Sequence, residues 1–411
     1  MIKKIKIDYL RLGMFIHDLD IGWMDHPFLK SSFTVTSQDT LEKIFDLKLR
    51  EVYIDTDKGL DILDEKENQG QNISEIQKEV KKTMDELLLP YPVKGLRIPL
   101  KEEWQQAVNV KKEANQVISN MMDDARLGKQ IELERLEPVV ERIVQSIFHN
   151  QDALLGIIRI REMDRYTFEH SVSVAVLLTS FCKHLGMPGS IIQQAAIGGL
   201  LHDIGKSLVP LDILNKPGRL TEDEFVIMRR HVEYSRDILN SSDGISDVSQ
   251  SIIFEHHERY DGSGYPLGKN SDAITLHGKM AAVVDVYDAL TSARCYHKGK
   301  SPHFVLGKLI EWSKYHFEPE LVQHFIRCVG IYPVGTVVAL QSGRVGIVVE
   351  SNENDLLRPM VKLFYNKNKN CNIPVMLLNL AKQFSNTPDK IVGSEDPEKY
   401  RSSVEILLKP N

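Results

Sequence analysis

The chain has 411 residues, 42% of them hydrophobic and 26% charged, with a net charge of −6. At ~150 residues per unit this leaves room for about three globular units, and the mild acidity argues against a broad nucleic-acid surface while allowing a small anion in a local basic pocket. The four cysteines, Cys182, Cys295, Cys328 and Cys371, are scattered with no CxxC pair, so neither a zinc ribbon nor a disulfide framework is indicated. No apolar run reaches ~18–20 residues and no signal-peptide core opens the chain, so a cytoplasmic protein with no membrane partner is expected.

Residues 1–62 are expected to form a small α/β unit. Short strands are read at Lys6-Ile7, Met14–Ile16, Phe33–Thr36 and Val52–Ile54. Ser37 caps a helix to about Leu47 that carries Leu41, Ile44 and Phe45 on one face. Residues 63–149 open on a polar run, Asp64 to Gly70, expected to be a linker, followed by an irregular stretch with Pro90, Pro92 and Pro99. An amphipathic helix is expected from about Trp104 to Ala125. Lys111 and Lys112 interrupt its apolar stripe, so it either packs on its own neighbours or serves as a dimer or signalling helix. Pro138 suits the first turn of the next helix.

Residues 150–332 read as helical throughout: Phe168–Leu185, Ile191–Leu201, Thr221–Leu239 opened by a capping box, Ser251–Glu258 and Leu276–Ser292. Eleven of the fourteen histidines lie between His170 and His324. Residues 333–411 change to β grammar, with a hairpin at Gly335–Leu340 and Val345–Val349 and a third strand at Met360–Tyr365. From Ser385 the chain is expected to be irregular until Val404–Leu408.

The chemistry centres on Leu201-His202-Asp203-Ile204-Gly205-Lys206. The run before it is apolar and small, which places the His-Asp pair at the inner end of a buried helix, where an Asp needs a partner or a metal. A carboxylate can bridge two cations and imidazole ligates transition metals. Further candidates are His170, His231, His256, His257 and Asp285. They divide into one site of His170, His202, Asp203 and Asp285, and another of Asp203, His231, His256 and His257. Nitrogen and oxygen donors without thiolate suit iron, manganese, nickel or zinc. Two bridged ions activate water and clamp the oxygens of a phosphoryl displacement. Neighbouring residues lie ~100° apart around a helix, so His256 and His257 share an ion only near a helix end. Lys206 shares the helix face of His202 and Asp203 if that helix continues. It could then hold a phosphate oxygen or protonate a leaving alkoxide.

A second informative stretch is the loop from His256 to Pro266. Tyr265 offers a ring and a hydroxyl, and Gly264 is expected at a turn with positive φ. Both are expected to shape a substrate mouth or a partner surface, so that Gly264→Ala would leave metal content intact.

His202-Asp203-Ile204-Gly205-Lys206, then His231, His256-His257-Glu258, Asp261-Gly262-Ser263-Gly264-Tyr265-Pro266 and Asp285 to Ser292 together resemble the HD-GYP subgroup of HD-domain phosphohydrolases. The resemblance spans about residues 150–332. It implies a helical HD-domain bundle, so that with the small N-terminal α/β unit and the β-rich C-terminal appendix read above a mainly α fold is expected. It also implies hydrolysis of cyclic di-GMP to pGpG, and on to GMP, at an iron or manganese centre. Residues 1 to about 130 resemble, more loosely, an uncharacterised module that often precedes this domain.

Carried over residue by residue, the family's metal ligands fall on His170, His202, Asp203, His231, His256, His257 and Asp285. Its general-acid lysine falls on Lys206 and its phosphate-binding arginine on Arg294. Relatives with a third metal carry Glu four residues before the first His. Here that place is Tyr166, so two ions are expected rather than three. A phosphate-contacting Lys expected three residues after the arginine is His297 here, with Lys298 beside it. Diguanylate cyclases or adaptor proteins are partners that the loop would meet, and a homodimer is a further expectation. The alternatives are a weakly catalytic cyclic-dinucleotide-binding scaffold and a phosphohydrolase of another nucleotide.

Overall fold

Alternating apolar residues and one capped helix build the first unit. Strands β1 (Ile2–Lys6), β2 (Phe15–Asp18), β3 (Phe33–Thr34) and β4 (Glu51–Asp55) form an antiparallel sheet in the order β1-β4-β2-β3. Helix α1 (Gln38–Asp46) covers it, and the Ser37 side chain accepts from the Thr40 amide as its N-cap. Ile5, Met14, Ile16, Val35, Ile44 and Ile54 fill the core between them. The first strand ends at Lys6, so of the expected Lys6-Ile7 only Lys6 belongs to it, and Ile7 starts a short 3-10 turn.

The computed structural model describes residues 2–20, 32–47, 49–62, 73–86, 98–160, 166–216, 218, 220–240, 244–292, 299–352, 354–383, 388–400 and 404–410. The polar run at 64–70, Pro90 and Pro92, and the site candidates Arg294 and Lys298 lie outside these residues.

A helix not foreseen, α2 (Ile73–Glu86), follows the polar run. The long helix α3 (Leu100–Arg126) packs on α4 (Glu137–Ile157), which opens with Pro138 in its first turn, and on α5 (Tyr166–His184). Lys111 does not need a second copy of the chain. It pairs with the buried Glu169 carboxylate of α5 at 2.8 Å and also donates to the Ile160 carbonyl. Thus one interruption of the apolar stripe is an internal ion pair next to the first candidate ligand, His170.

The remaining helices are α6 (Gly189–Leu201), α7 (Leu211–Leu214), α8 (Glu222–Arg229), α9 (His231–Asn240), α10 (Asp247–Glu255), α11 (Leu276–Thr291), α12 (Pro302–Trp312) and α13 (Pro319–Val329). The capping box of Thr221 and Glu224 forms. The single helix expected from Thr221 to Leu239 is broken at Arg230, which leaves His231 at the start of a new helix. Helices α5, α6, α10 and α11 pack on one another and share the largest apolar core of the chain.

Strands β5 (Val337–Leu340), β6 (Arg344–Glu350), β7 (Met360–Asn366), β8 (Cys371–Asn379) and β9 (Ile391–Ser394) form an antiparallel sheet in the order β8-β7-β6-β5-β9. The stretch expected to be irregular after Ser385 therefore contains β9, an edge strand paired with β5. The short helix α14 (Val404–Leu408) closes the described chain. The fold is mainly α, with a small sheet at each end of the sequence.

The N-terminal sheet is fastened to the helices by buried charge. Lys4 Nζ lies 2.6 Å from Asp20 Oδ2 and 2.9 Å from Glu311 Oε1 at the end of α12. Trp312 donates from Nε1 to Asp20 Oδ1 at 2.8 Å, and Tyr53 donates to Glu311. Burial, together with the neighbouring Asp20 charge, pushes the Glu311 carboxyl up to about 7.

Candidate metal centre

Five of the seven ligand candidates, His202, Asp203, His231, His256 and His257, sit at or just beyond a helix end. Helix α6 ends at Leu201, so His202 is its C-cap and Asp203 begins a 3-10 turn that carries Gly205 and Lys206. The helix does not continue to Lys206 as one reading required; the tight turn brings the side chain round instead. Helix α10 ends at Glu255, earlier than expected, which leaves His256 and His257 beyond its last turn with ring centroids 4.2 Å apart. His170 comes from the first half of α5 and Asp285 from the middle of α11.

Three of the imidazoles are held alike. His202 Nδ1 meets the Gly199 carbonyl at 2.8 Å, His231 Nδ1 the Met228 carbonyl at 2.7 Å and His256 Nδ1 the Ile253 carbonyl at 2.9 Å. A carbonyl only accepts, so Nδ1 carries the proton in each and Nε2 is left with its lone pair. Those Nε2 atoms converge. His231 Nε2 lies 3.5 Å from His256 Nε2 and 3.4 Å from Asp203 Oδ1. His202 Nε2 lies 3.3 Å from Asp203 Oδ2 and 3.9 Å from Asp285 Oδ1. His170 Nε2 is 2.9 Å from Asp285 Oδ1 and 3.7 Å from Asp203 Oδ2.

The seven candidates thus gather in two overlapping groups. His170, His202 and Asp285 form one and His231, His256 and His257 the other, and Asp203 stands between them with one oxygen toward each. Lys206 Nζ is 2.6 Å from Asp203 Oδ2. Gly205 lets the turn pack closely on α9: a Cβ there would lie 2.0 Å from the His231 carbonyl oxygen and 2.4 Å from the Ser235 nitrogen.

Divalent metal ions fit these residues. His202 Nε2, Asp203 Oδ1 and both ring nitrogens of His257 are buried without a hydrogen bond. Orphaned polar atoms of this kind are costly unless something binds them. Burial, with smaller effects of neighbouring charges, lowers His231 to about 4 and His256 to about 3, and drives His257 well below the usual imidazole range. All three are therefore neutral donors at pH 7. Burial alone would raise Asp203, but the Lys206 ammonium and the surrounding histidines hold it well below the usual carboxylate range.

His231 and His256 set a pH dependence for the metal-free protein. Their folded pKa values are depressed, so between about pH 6.5 and pH 4 the unfolded chain binds protons that the folded chain does not. Stability is present above this window and lost as pH falls through it, by about 3 kcal/mol for His231 at the limit. His170 works the other way. Burial opposes its charge, but Asp285 and Asp288 raise its pKa. Thermal melts in excess chelator from pH 7.5 to 4.5 should fall with acidification, with a smaller slope in His231→Gln. Equal slopes for the two proteins would contradict this assignment.

Asp288 lies within the Asp285 to Ser292 motif, one turn after Asp285 on α11. Its Oδ2 accepts from His170 Nδ1 at 2.7 Å, which directs Nε2 of that ring toward Asp285 and Asp203. A carboxylate one turn after a ligand carboxylate on a helix is the signal that would have found it.

The loop after His257 is built differently from its expected role. Gly264 does not have positive φ; Gly262 and Gly268 do. Gly264 is needed for closeness: a Cβ would lie 2.4 Å from the Arg259 nitrogen and 2.5 Å from the His257 carbonyl oxygen. Nor is Tyr265 an open ring. It stacks on His257 with centroids 4.5 Å apart, and the Arg229 guanidinium lies over it at 4.2 Å. Glu258 fastens the loop by accepting from the Leu267 and Lys269 amides, each at 2.8 Å. Gly264→Ala should therefore displace the backbone that carries His257 and weaken metal retention about 10–100-fold, the scale of lost support around a ligand. Metal titration of the variant checks this, and wild-type affinity would contradict it.

Comparison with known proteins agrees with this geometry. A domain of unknown function (DUF3391) matches residues 2–136 and an HD domain matches residues 157–321. A cyclic di-GMP phosphodiesterase of Pseudomonas aeruginosa, PA4108, is 37% identical over 97% of this chain and 94% of its own length. The 3'3'-cGAMP-specific phosphodiesterase 1 of Vibrio cholerae is 41% identical over 35% of this chain and 33% of its own length. A cyclic di-GMP phosphodiesterase of Thermotoga maritima is 33% identical over 46% and 53%. A relative matched from end to end, and a histidine–aspartate cluster built on the matched HD domain, place this chain in the HD-GYP family of metal-dependent cyclic dinucleotide phosphodiesterases.

Proposed function

We propose that this chain hydrolyses cyclic di-GMP to pGpG, and pGpG onward to GMP, at two transition-metal ions, iron or manganese. The observation that carries the reading is Asp203, one carboxylate whose two oxygens face two histidine groups and whose other neighbour is Lys206. His170, His202, Asp203 and Asp285 would hold one ion, and Asp203, His231, His256 and His257 the other. Ions held there supply positive charge to a phosphodiester and make water acidic enough to act as nucleophile at neutral pH. Lys206 donates a proton to the departing ribose oxygen. Asp288 and the three backbone carbonyls keep the imidazoles oriented. Arg294 and Lys298 are retained as phosphate contacts on sequence grounds. Leu267, 64% exposed just past Pro266, gives the loop an apolar tip that a diguanylate cyclase or adaptor would meet.

The likeness to a cGAMP-specific enzyme favours a second reading, in which a mixed cyclic dinucleotide is preferred. Chromatography of products from cyclic di-GMP, 3'3'-cGAMP and cyclic di-AMP separates the two readings by their relative kcat/KM. Elemental analysis of anaerobically purified protein should approach two transition metals per chain. Three per chain in fully active protein would contradict the argument from Tyr166. Among the described residues no helix is long and apolar enough to cross a membrane.

A further inference from the structure

Beside the metal cluster lies a chamber of about 230 Å³ whose walls come from two distant parts of the chain. His257 belongs both to the cluster and to the chamber. Asp46 and Leu49 reach it from the N-terminal unit, and Arg229 and Phe317 from the helical domain. The N-terminal unit is pinned nearby, because Trp312, another wall residue, holds Asp20 of the buried Lys4 cluster. Lys43, one turn before Asp46 on α1, pairs with Glu222 of α8 at 3.0 Å.

Two charged groups on these walls make no hydrogen bond or ion pair with any described residue. One is the Asp46 carboxylate. The other is the Arg229 guanidinium, whose contacts are flat ones with Tyr265 and Phe225. A carboxylate and a guanidinium that face one cavity without pairing suit a ligand with two N–H donors on one edge and two acceptors on another. Guanine has this pattern, with N1–H and N2–H₂ on its Watson–Crick edge and O6 and N7 on the adjoining Hoogsteen edge. Adenine presents the acceptor N1 where the carboxylate requires a donor. The volume is below the roughly 300–1,000 Å³ of a site for a whole drug-sized ligand, so the chamber suits one base and not a dinucleotide. Phe317 and Leu49 supply apolar surface for its flat faces.

We propose that this chamber is a guanine subsite completed by the N-terminal unit, in which Asp46 reads the Watson–Crick edge and Arg229 the O6/N7 edge of one base of the substrate. It rests on the cyclic dinucleotide reading above and assigns the N-terminal unit a direct part in substrate selection. Cyclic di-GMP and a mixed guanine–adenine dinucleotide both fit, each with a guanine in the chamber, whereas cyclic di-AMP does not.

The test measures KM for cyclic di-GMP and Ki for cyclic di-AMP as competitor, on the metal-loaded full chain and its Asp46→Ala and Asp46→Asn variants. Asp46 is exposed at the end of α1, so neither substitution opens the core. In the unmutated chain Ki should exceed KM at least tenfold. Asp46→Ala should raise KM about tenfold or more with kcat within about threefold, the pattern of a lost binding contact. Asp46→Asn can donate to adenine N1, so it should raise KM and lower Ki, and shrink their ratio about tenfold. A KM for Asp46→Ala within twofold of the parent, or an unchanged ratio in Asp46→Asn, overturns the proposal. Failure of the unmutated, metal-loaded chain to turn over any cyclic dinucleotide would instead overturn the function on which it rests.

Discussion

Asp203→Ala is expected to empty both proposed metal positions together and to lower kcat by about 10⁴-fold or more, since ions held there would activate the nucleophile and balance the phosphate charge. The expectation follows from placement. The carboxylate is buried, with Oδ2 3.3 Å from His202 Nε2 and Oδ1 3.4 Å from His231 Nε2. No other carboxylate among the described residues touches both groups; Asp285 lies with His170 and His202, and comes only to 4.0 Å of His257. Removing the side chain also strands Lys206, a buried ammonium paired with Asp203. Breaking a buried pair in this way costs about 3–5 kcal/mol, so thermal unfolding must accompany the metal assay. Asp203→Asn separates the two effects, since it keeps the volume and a hydrogen-bond acceptor for Lys206 while discarding the bridging charge. Both variants should lack metal. One ion retained at full occupancy in folded Asp203→Asn would show that the two groups bind independently.

Lys206→Ala is expected to keep both ions and lose turnover by about 10²-fold, the scale of one missing general acid. The side chain is buried against Asp203 at 2.6 Å and is not one of the ligand donors. A general acid matters in proportion to the basicity of the leaving group. The loss should therefore be large for cyclic di-GMP, whose leaving ribose oxygen is strongly basic, and small for bis(p-nitrophenyl) phosphate, whose leaving group departs without a proton. A role confined to neutralising Asp203 would slow both substrates alike and lower metal content. Equal losses on the two substrates would remove the proton-donor assignment.

Much of this site was legible in the sequence because its candidate ligands lie in short, dense motifs. The HD pair, the double histidine and Asp285 stand out in the sequence, and the structure gathers them in one buried cluster. What was not legible depends on contacts between distant segments. Lys4 and Glu311 are 307 positions apart and no periodicity connects them. The same holds for the chamber, where Asp46 and Phe317 meet on one wall system. The sequence shows the Tyr265 ring but not that Arg229 lies over one of its faces. Helix breaks were also missed. The run from Thr221 to Leu239 reads as a single helix, yet the break at Arg230 is what turns His231 inward.

Other misses were legible. Ile73, Ile76, Val80 and Met84 recur at helical spacing and mark α2, but the polar run before them drew the segment into a linker. Strand β8 was obscured by Pro374 and by exposed apolar residues such as Leu377. Both suit a strand at the edge of a sheet, where one row of backbone groups needs no partner strand.

The most direct test of the central claim is turnover of cyclic di-GMP by chelator-stripped protein before and after reloading with iron(II) or manganese(II), with metal content and products measured on the same sample. Stripped protein should be inactive. Reloading should restore formation of pGpG in step with metal occupancy, up to two ions per chain. Fully reloaded protein that leaves cyclic di-GMP intact, or stripped protein that cleaves it at the same rate, would contradict the assignment of the His170–Asp285 cluster as a phosphodiesterase centre.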